Sequence, residues 1–336
     1  MPGLAAPPLR VGLIGLGRSG LHLIECCATG GPFRVVAVFA DPLVADIVSP
    51  FGARLVKHPQ ELLAAADVDV IWIAEFAGRR SDVSIPEVLA EKHAILETPL
   101  SLTTAALEQA FEVAAQHRRL LLVHHPRRSD QEFRQALSAS QESDIGAIRA
   151  AKFVSWGYGL APRGAARGLG PLPSEGSDEA QITKVRLVAH ALDQLVSLIA
   201  DRPKCLVAVG EQNAFGPSDL FGGKSLLLQI TFEQGCQAEI DVRLNSPTPF
   251  QSGWLLSGER GGYAKGRRFT LTDEGEVFDS PVPEFDDSNE ADQLEWLAQR
   301  IRTSASDSVE ESRLRNLIAL LDAARRSLGS QQVVML

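Results

Sequence analysis

The run Arg10-Val11-Gly12-Leu13-Ile14, closed by Gly15-Leu16-Gly17-Arg18-Ser19-Gly20, constrains this chain more than any other segment. The first part is a short apolar stretch of the kind that forms a buried parallel strand. The second is a G-x-G-x-x-G, and a helical pattern follows it with Leu21, Ile24 and Cys27/Ala28 on one face. Strand, glycine turn and helix in that order form the dinucleotide fingerprint. Gly15 permits the tight turn, Gly17 lets the backbone approach a pyrophosphate, and Gly20 lets helix and strand pack closely. The first turn of the helix, with Leu16, Arg18 and Ser19, offers N–H groups to phosphate. Asp41 ends a second apolar run, 21 residues after Gly20. A carboxylate there accepts the adenosine ribose hydroxyls and repels a 2′-phosphate, so NAD is expected rather than NADP.

The same alternation continues. Strand-like runs at 34–40, 69–74, 93–96 and 120–123 are separated by helical patterns such as 61–66 and 104–117. That spacing predicts βαβ units and a doubly wound parallel sheet, an α/β Rossmann domain over residues 1–125. Beyond Pro126 the pattern changes. A strand is expected over 148–157, an aperiodic loop rich in Gly, Pro, Ser and Arg over 158–178, and a helix over 181–200. Cys236, Ala238, Ile240, Val242 and Leu244 alternate with polar residues, which predicts an antiparallel hairpin formed by 225–233 and 236–244. Further strands are expected near 253–258, 262–270 and 275–279, and two helices near 290–303 and 308–327. Residues 126–336 are read as a second α/β domain.

The net charge of −9 disfavours nucleic acid, which needs basic surface to release counterions, and an anionic membrane. No run of about 18 apolar residues occurs. The first ten residues lack the pattern of a signal peptide. A soluble, cytoplasmic protein is expected. The four cysteines lack paired C-x-x-C spacing, and His124-His125 have no further ligands at metal spacing, so no metal site is expected.

A short-chain dehydrogenase needs Tyr-x-x-x-Lys. The two tyrosines, Tyr158 and Tyr263, are followed four residues on by Pro162 and Arg267. The chain instead resembles the Gfo/Idh/MocA oxidoreductases along essentially its whole length. The matching pieces are Val11 to Gly20, Val35 to Pro42, Asp67 to Ala74, His93 to Leu102, Ile145 to Trp156, His190 to Leu195 and Glu310 to Ser327. The resemblance implies a Rossmann domain followed by an α/β domain with a large open, mainly antiparallel sheet. It implies NAD(P)-dependent hydride transfer to or from a small sugar, cyclitol or related hydroxy compound. It also implies a homodimer or homotetramer built through the open sheet.

The catalytic signature carries over incompletely. The family's Glu-Lys-Pro stands here as Glu97-Thr98-Pro99, so the lysine that touches the substrate hydroxyl is replaced. Its D-x-G-x-H-x-x-D stands as Arg186 to Asp193, with His190 and Asp193 retained and Arg186 in place of the first aspartate. Its Thr-Pro-Asn is Glu75-Phe76-Ala77. By this correspondence Glu75, Phe76, Glu97 and Thr98 join the cofactor-binding residues.

Arg186, His190 and Asp193 are spaced i, i+4, i+7, one face of a helix. His190 suits acid/base work near neutral pH. Arg186 stays protonated and would polarise a substrate oxygen or clamp a carboxylate; Asp193 would orient the histidine. Glu75, at a strand end, is an alternative base. Arg127-Arg128, and Arg163 and Arg167 in the loop, are candidate cleft cations or solvated residues. Two readings stand: an oxidoreductase with altered catalytic residues, and a nucleotide-binding protein that has lost catalysis and acts as a sensor or partner-binding protein.

Overall fold

The computed structural model describes residues 6–74, 83–98, 102–141, 145–157, 178–210, 225–244, 246, 251–285 and 290–336. The chain forms two compact units, Met1–Pro126 with Ser288–Ser308, and Arg127–Asp287 with Val309–Leu336. The first change of unit falls where the sequence pattern changes. Residues 288–308 group with the first unit, although the sequence reading assigned them to the domain beginning at 126.

In the first unit the strands are β1 (Leu9–Ile14), β2 (Phe33–Phe39), β3 (Arg54–Val56), β4 (Val70–Ile73), β5 (His93–Glu97) and β6 (Leu121–His124). They form one sheet in the order β3-β2-β1-β4-β5-β6, and every pairing is parallel. Central strands of such a sheet are covered on both faces, which is why β4 and β5 are apolar almost throughout and buried at every residue. The crossovers carry α1 (Arg18–Ala28), α2 (Ala45–Val48), α3 (Gln60–Ala64), α4 (Ile85–Glu91) and α5 (Thr104–His117). Ser84 and Glu87 form a reciprocal cap at the start of α4, and the Thr103 hydroxyl accepts from Ala106 N–H at 3.2 Å at the start of α5. One face of the sheet packs Val11, Leu13, Val35, Trp72 and Ile95 against Leu23 and Ile24 of α1 and against Leu294, Leu297, Ala298 and Ile301. The last four lie on one helix, Glu290–Thr303, at spacings of three and four residues. Each such Leu or Ile contributes about 1.5–3 kcal/mol on burial.

The second unit contains α6 (Gln131–Gln141), β7 (Ile148–Trp156), α7 (Asp178–Leu198), β8 (Pro203–Gly210), β9 (Ser225–Phe232), β10 (Gln237–Arg243), β11 (Gln251–Gly258), β12 (Gly261–Ala264), β13 (Arg267–Leu271) and β14 (Val277–Pro281). With the Glu290–Thr303 helix numbered α8, the chain closes with α9 (Ser308–Ser330) and β15 (Val334–Met335). The nine strands run in the order β14-β13-β12-β11-β7-β10-β9-β8-β15. All pairs are antiparallel except β7 with β10. The expected β9–β10 hairpin is present, turning at Gly235 with φ +89°. The segment 262–270, expected as one strand, is a hairpin. Lys265 and Gly266, both at positive φ, form its two-residue turn.

One face of this sheet, carrying Leu226, Leu228, Ile230, Ala238, Ile240 and Val242, is buried. Helix α7 is buried nearly all round at Val188, Ala189, Ala191, Leu192 and Leu195. Ser327 ties α9 to β8: its hydroxyl accepts from Ala208 N–H at 2.9 Å and donates to Gln332 O at 2.6 Å. The opposite face of β10 shows Gln237, Glu239 and Arg243, as the alternation predicted, but Asp241 on that face is buried. Arg243 covers it, donating Nε to Oδ1 at 2.9 Å and Nη2 to Oδ2 at 3.1 Å, and lies over the Trp156 ring at 4.8 Å. A cavity of about 690 Å³ on this face is lined by Lys152, Gln229, Glu239 and Leu255 among others. Among the described residues, no helix is long and apolar enough to cross a membrane.

Candidate functional site

The glycine turn has the geometry its sequence requires. Gly15 sits at φ +88° and donates its N–H to Phe39 O at 2.9 Å, which binds the loop to β2. A Cβ on Gly20 would lie 2.7 Å from Gly15 O and 3.3 Å from Ala74 Cβ, so only glycine lets α1 approach β1 and β4 this closely. Gly17 caps α1 with no side-chain hydrogen bond, leaving the first-turn N–H groups uncapped by any side chain there. Ser19 Oγ donates to Ala74 O at 3.1 Å, locking the helix start to the end of β4. Leu16 packs on the core of the unit. Arg18 is the first residue of α1.

Asp41 is exposed, two residues beyond β2, and its carboxylate accepts from Leu43 N–H at 3.0 Å in a short 3₁₀ turn. Loop, Asp41 and the Glu97–Thr98 pair thus lie at the carboxyl ends of β1, β2 and β5, the edge where open α/β sheets bind ligands. Glu75 and Phe76 lie outside the described residues, as do Arg163 and Arg167. Glu97 and Thr98 are both buried. Glu97 Oε1 accepts the Trp72 indole N–H at 3.0 Å and lies 2.7 Å from His124 Nδ1. In the sequence His124 stands out only as a possible metal ligand. Its partner is 27 residues away, joined to it by the register of β5 and β6.

In the second unit, Arg186, His190 and Asp193 share α7. Arg186 is half-buried, while His190 and Asp193 are buried. The Asp193 carboxylate is gripped from both sides by Arg128, Nε to Oδ2 at 2.9 Å and Nη2 to Oδ1 at 2.7 Å. Arg128 Nη1 also donates to Glu310 Oε2 at 2.7 Å, and Arg313 pairs with Glu310. Burial alone would lower the Arg128 guanidinium, but the two carboxylates more than offset it and raise it. Burial likewise pushes the Glu310 carboxyl up, and the two arginines bring it below the usual range. Gln194, the next residue of α7, donates to Arg127 O at 2.7 Å and accepts the Trp254 indole N–H at 2.9 Å. The pair Arg127-Arg128 therefore fastens the start of this unit to α7. Among the described residues, no group of three or more His, Cys, Asp or Glu is placed to hold a metal ion.

Residues 9–125 match the Gfo/Idh/MocA model, described as an oxidoreductase family with an NAD-binding Rossmann fold. A myo-inositol 2-dehydrogenase of Thermotoga maritima is 28% identical over 145 residues, 41% of this chain and 42% of that protein. An inositol 2-dehydrogenase of Pseudomonas syringae is 29% identical over 146 residues, 41% of this chain and 43% of that protein. The chain thus spans less than half the length of the curated relatives it matches. Similar folds are those of a putative oxidoreductase from Bacillus subtilis, with a TM-score of 0.74 at 17% identity over 98% of both chains. Another is a scyllo-inositol dehydrogenase from Lactobacillus casei with bound NAD(H) and scyllo-inositol. Its TM-score is 0.71 at 17% identity, over 98% of this chain and 99% of that one.

Proposed function

We propose that this chain, whose residues 9–125 belong to the Gfo/Idh/MocA oxidoreductases, is an NAD-dependent oxidoreductase that moves a hydride between nicotinamide and a small polyol, a cyclitol above all. The observation that carries the reading is the glycine turn: a positive-φ Gly15, a Gly20 with no room for a Cβ, and a helix start without a side-chain cap. These residues fit the pyrophosphate of a dinucleotide, which the N–H groups of the first turn of α1 would hold. Asp41, exposed and already an acceptor from Leu43, suits the ribose hydroxyls of NAD and opposes the extra phosphate of NADP. Bound there, the cofactor supplies the hydride-transfer chemistry.

The chain's own contribution is proton transfer and orientation. His190 takes the proton from the hydroxyl being oxidised, or returns it to the carbonyl, through an imidazole held on the buried helix α7. Arg186, one turn earlier, stabilises the developing alkoxide where the family uses lysine. Asp193 fixes α7 through Arg128. The two relatives are inositol dehydrogenases by name, which is the support for a cyclitol substrate. A homodimer through the uncovered face of the nine-stranded sheet, in the cytoplasm, completes the reading.

The alternative is a nucleotide-binding protein without turnover. The engagement of Asp193 by Arg128, together with Thr98 in place of lysine, favours it. Calorimetry with NAD⁺, followed by NADH formation over a panel of inositols and sugars, separates the two. Binding with turnover supports the oxidoreductase, and binding without turnover supports the alternative.

A further inference from the structure

Three strands of the first unit converge on one carboxylate. Glu97 ends β5, Trp72 stands on β4 and His124 ends β6. A single oxygen, Oε1, takes the Trp72 indole N–H at 3.0 Å and faces His124 Nδ1 at 2.7 Å. The His124 ring packs edge-on to Trp72, with centroids 5.3 Å apart, and Trp72 packs edge-on to Phe33 at 5.4 Å. The holder is therefore itself braced by the core.

The hydrogen between Nδ1 and the carboxylate belongs to Nδ1, since two acceptors would otherwise meet at 2.7 Å. A second hydrogen on Nε2 would be buried with no acceptor, because Nε2 has no partner among the described residues. The negative charge at this place is that of the Glu97 carboxylate, held by the Trp72 and His124 hydrogen bonds. That charge is buried at the carboxyl edge of β5. In a sheet of this strand order, the half formed by β4, β5 and β6 takes the second nucleotide of a dinucleotide, the one bearing nicotinamide.

We propose that Glu97, held by His124 and Trp72, sets the redox preference of the bound dinucleotide. NAD⁺ carries a pyridinium charge that NADH lacks, so a fixed carboxylate near the ring favours the oxidised form. The inference rests on the dinucleotide reading above and deepens it. His124 and Trp72 act through Glu97, as positioning residues. Thr98, the next residue, carries no charge to oppose the carboxylate.

The test is the ratio of dissociation constants for NAD⁺ and NADH, by calorimetry and by NADH fluorescence, on the full chain. Glu97→Gln keeps shape and hydrogen-bonding capacity but removes the charge. It is expected to shift the ratio against NAD⁺ by roughly three- to thirtyfold, the size of one charge at several ångströms in a partly buried site. Glu97→Asp, which keeps the charge, stays within about threefold of the parent by the same arithmetic. His124→Phe keeps the ring against Trp72, frees the carboxylate and shifts the ratio in the same direction as Glu97→Gln. An unchanged ratio in a folded Glu97→Gln overturns the proposal while leaving the dinucleotide reading intact. A parent protein that binds neither dinucleotide overturns both.

Discussion

Arg128 grips both carboxylate oxygens of Asp193, at 2.9 and 2.7 Å, across 65 residues of sequence. The pair joins the entry of the second unit to the C-terminal part of α7, and Glu310 of α9 completes it. Removing one partner strands a buried charge, which costs about 3–5 kcal/mol. Arg128→Met should lower the unfolding free energy by that much, as read from chemical denaturation. Arg128→Met with Asp193→Leu and Glu310→Leu should recover much of the loss, because no buried carboxylate is then left without its cation, and Arg313, which loses Glu310, is partly exposed to solvent. A single variant as stable as the parent would show that the cluster is solvated.

Gly20 and Gly329 make a matched pair of glycines. At Gly20 an added Cβ meets the Gly15 carbonyl at 2.7 Å; at Gly329, on α9, it meets nothing within 4 Å. Gly20→Ala should push α1 away from the turn and weaken NAD binding at least tenfold, or about 1.4 kcal/mol. Gly329→Ala should stabilise the chain by about 0.5–1 kcal/mol through helix propensity and leave NAD binding alone. Calorimetry and thermal unfolding read the two effects separately.

In the proposed reading, Asp41 decides between the two dinucleotides. NAD(H) should bind more tightly than NADP(H), and Asp41→Ser should narrow the gap by removing the charge that opposes the 2′-phosphate. Equal affinities in the parent would remove Asp41 from the site.

Two buried groups, one in each unit, should respond oppositely to pH. His93 is buried on β5 and its Nδ1 accepts Leu120 N–H at 3.2 Å. Burial, with Arg119 nearby, pushes it down from 6.5 to about 4. Between those values only the unfolded chain binds the proton, so stability rises with pH there and is lost as pH falls. Glu132, on α6, is pushed up from 4.5 to about 7 by burial, and its Oε1 accepts Trp254 N–H at 2.6 Å. Between those values only the folded chain binds the proton, so stability falls as pH rises. Glu132→Gln keeps an acceptor for Trp254 and should stabilise the chain above pH 7, by an amount on the order of 2–3 kcal/mol. The gain should fade toward pH 4.5. His93→Asn, which keeps an acceptor for Leu120, should remove the acid sensitivity below pH 6.5. Chemical denaturation across this range measures both.

The parallel sheet was legible because its apolar runs alternate with helices and its glycine turn has fixed spacing. Strand β3, three residues from Arg54 to Val56, is too short to show a period. Helix α8 was legible as a helix, but an amphipathic stripe does not name its partner, so its place on the Rossmann core was not. Spacing alone places Arg186, His190 and Asp193 on one helix, α7. The bond that occupies Asp193 comes from Arg128, outside that helix, and no local pattern pairs them. The same holds for Glu97 and His124, which only the register of adjacent strands brings together.

The most direct test of the central claim is NADH formation from NAD⁺ over an inositol panel, measured for the parent and for His190→Ala. The account predicts turnover by the parent, a loss of about 10²–10⁴-fold in the variant, and NAD affinity nearly unchanged, because His190 acts on substrate. A parent that binds NAD⁺ yet turns over no member of the panel, or a variant with full activity, would contradict it.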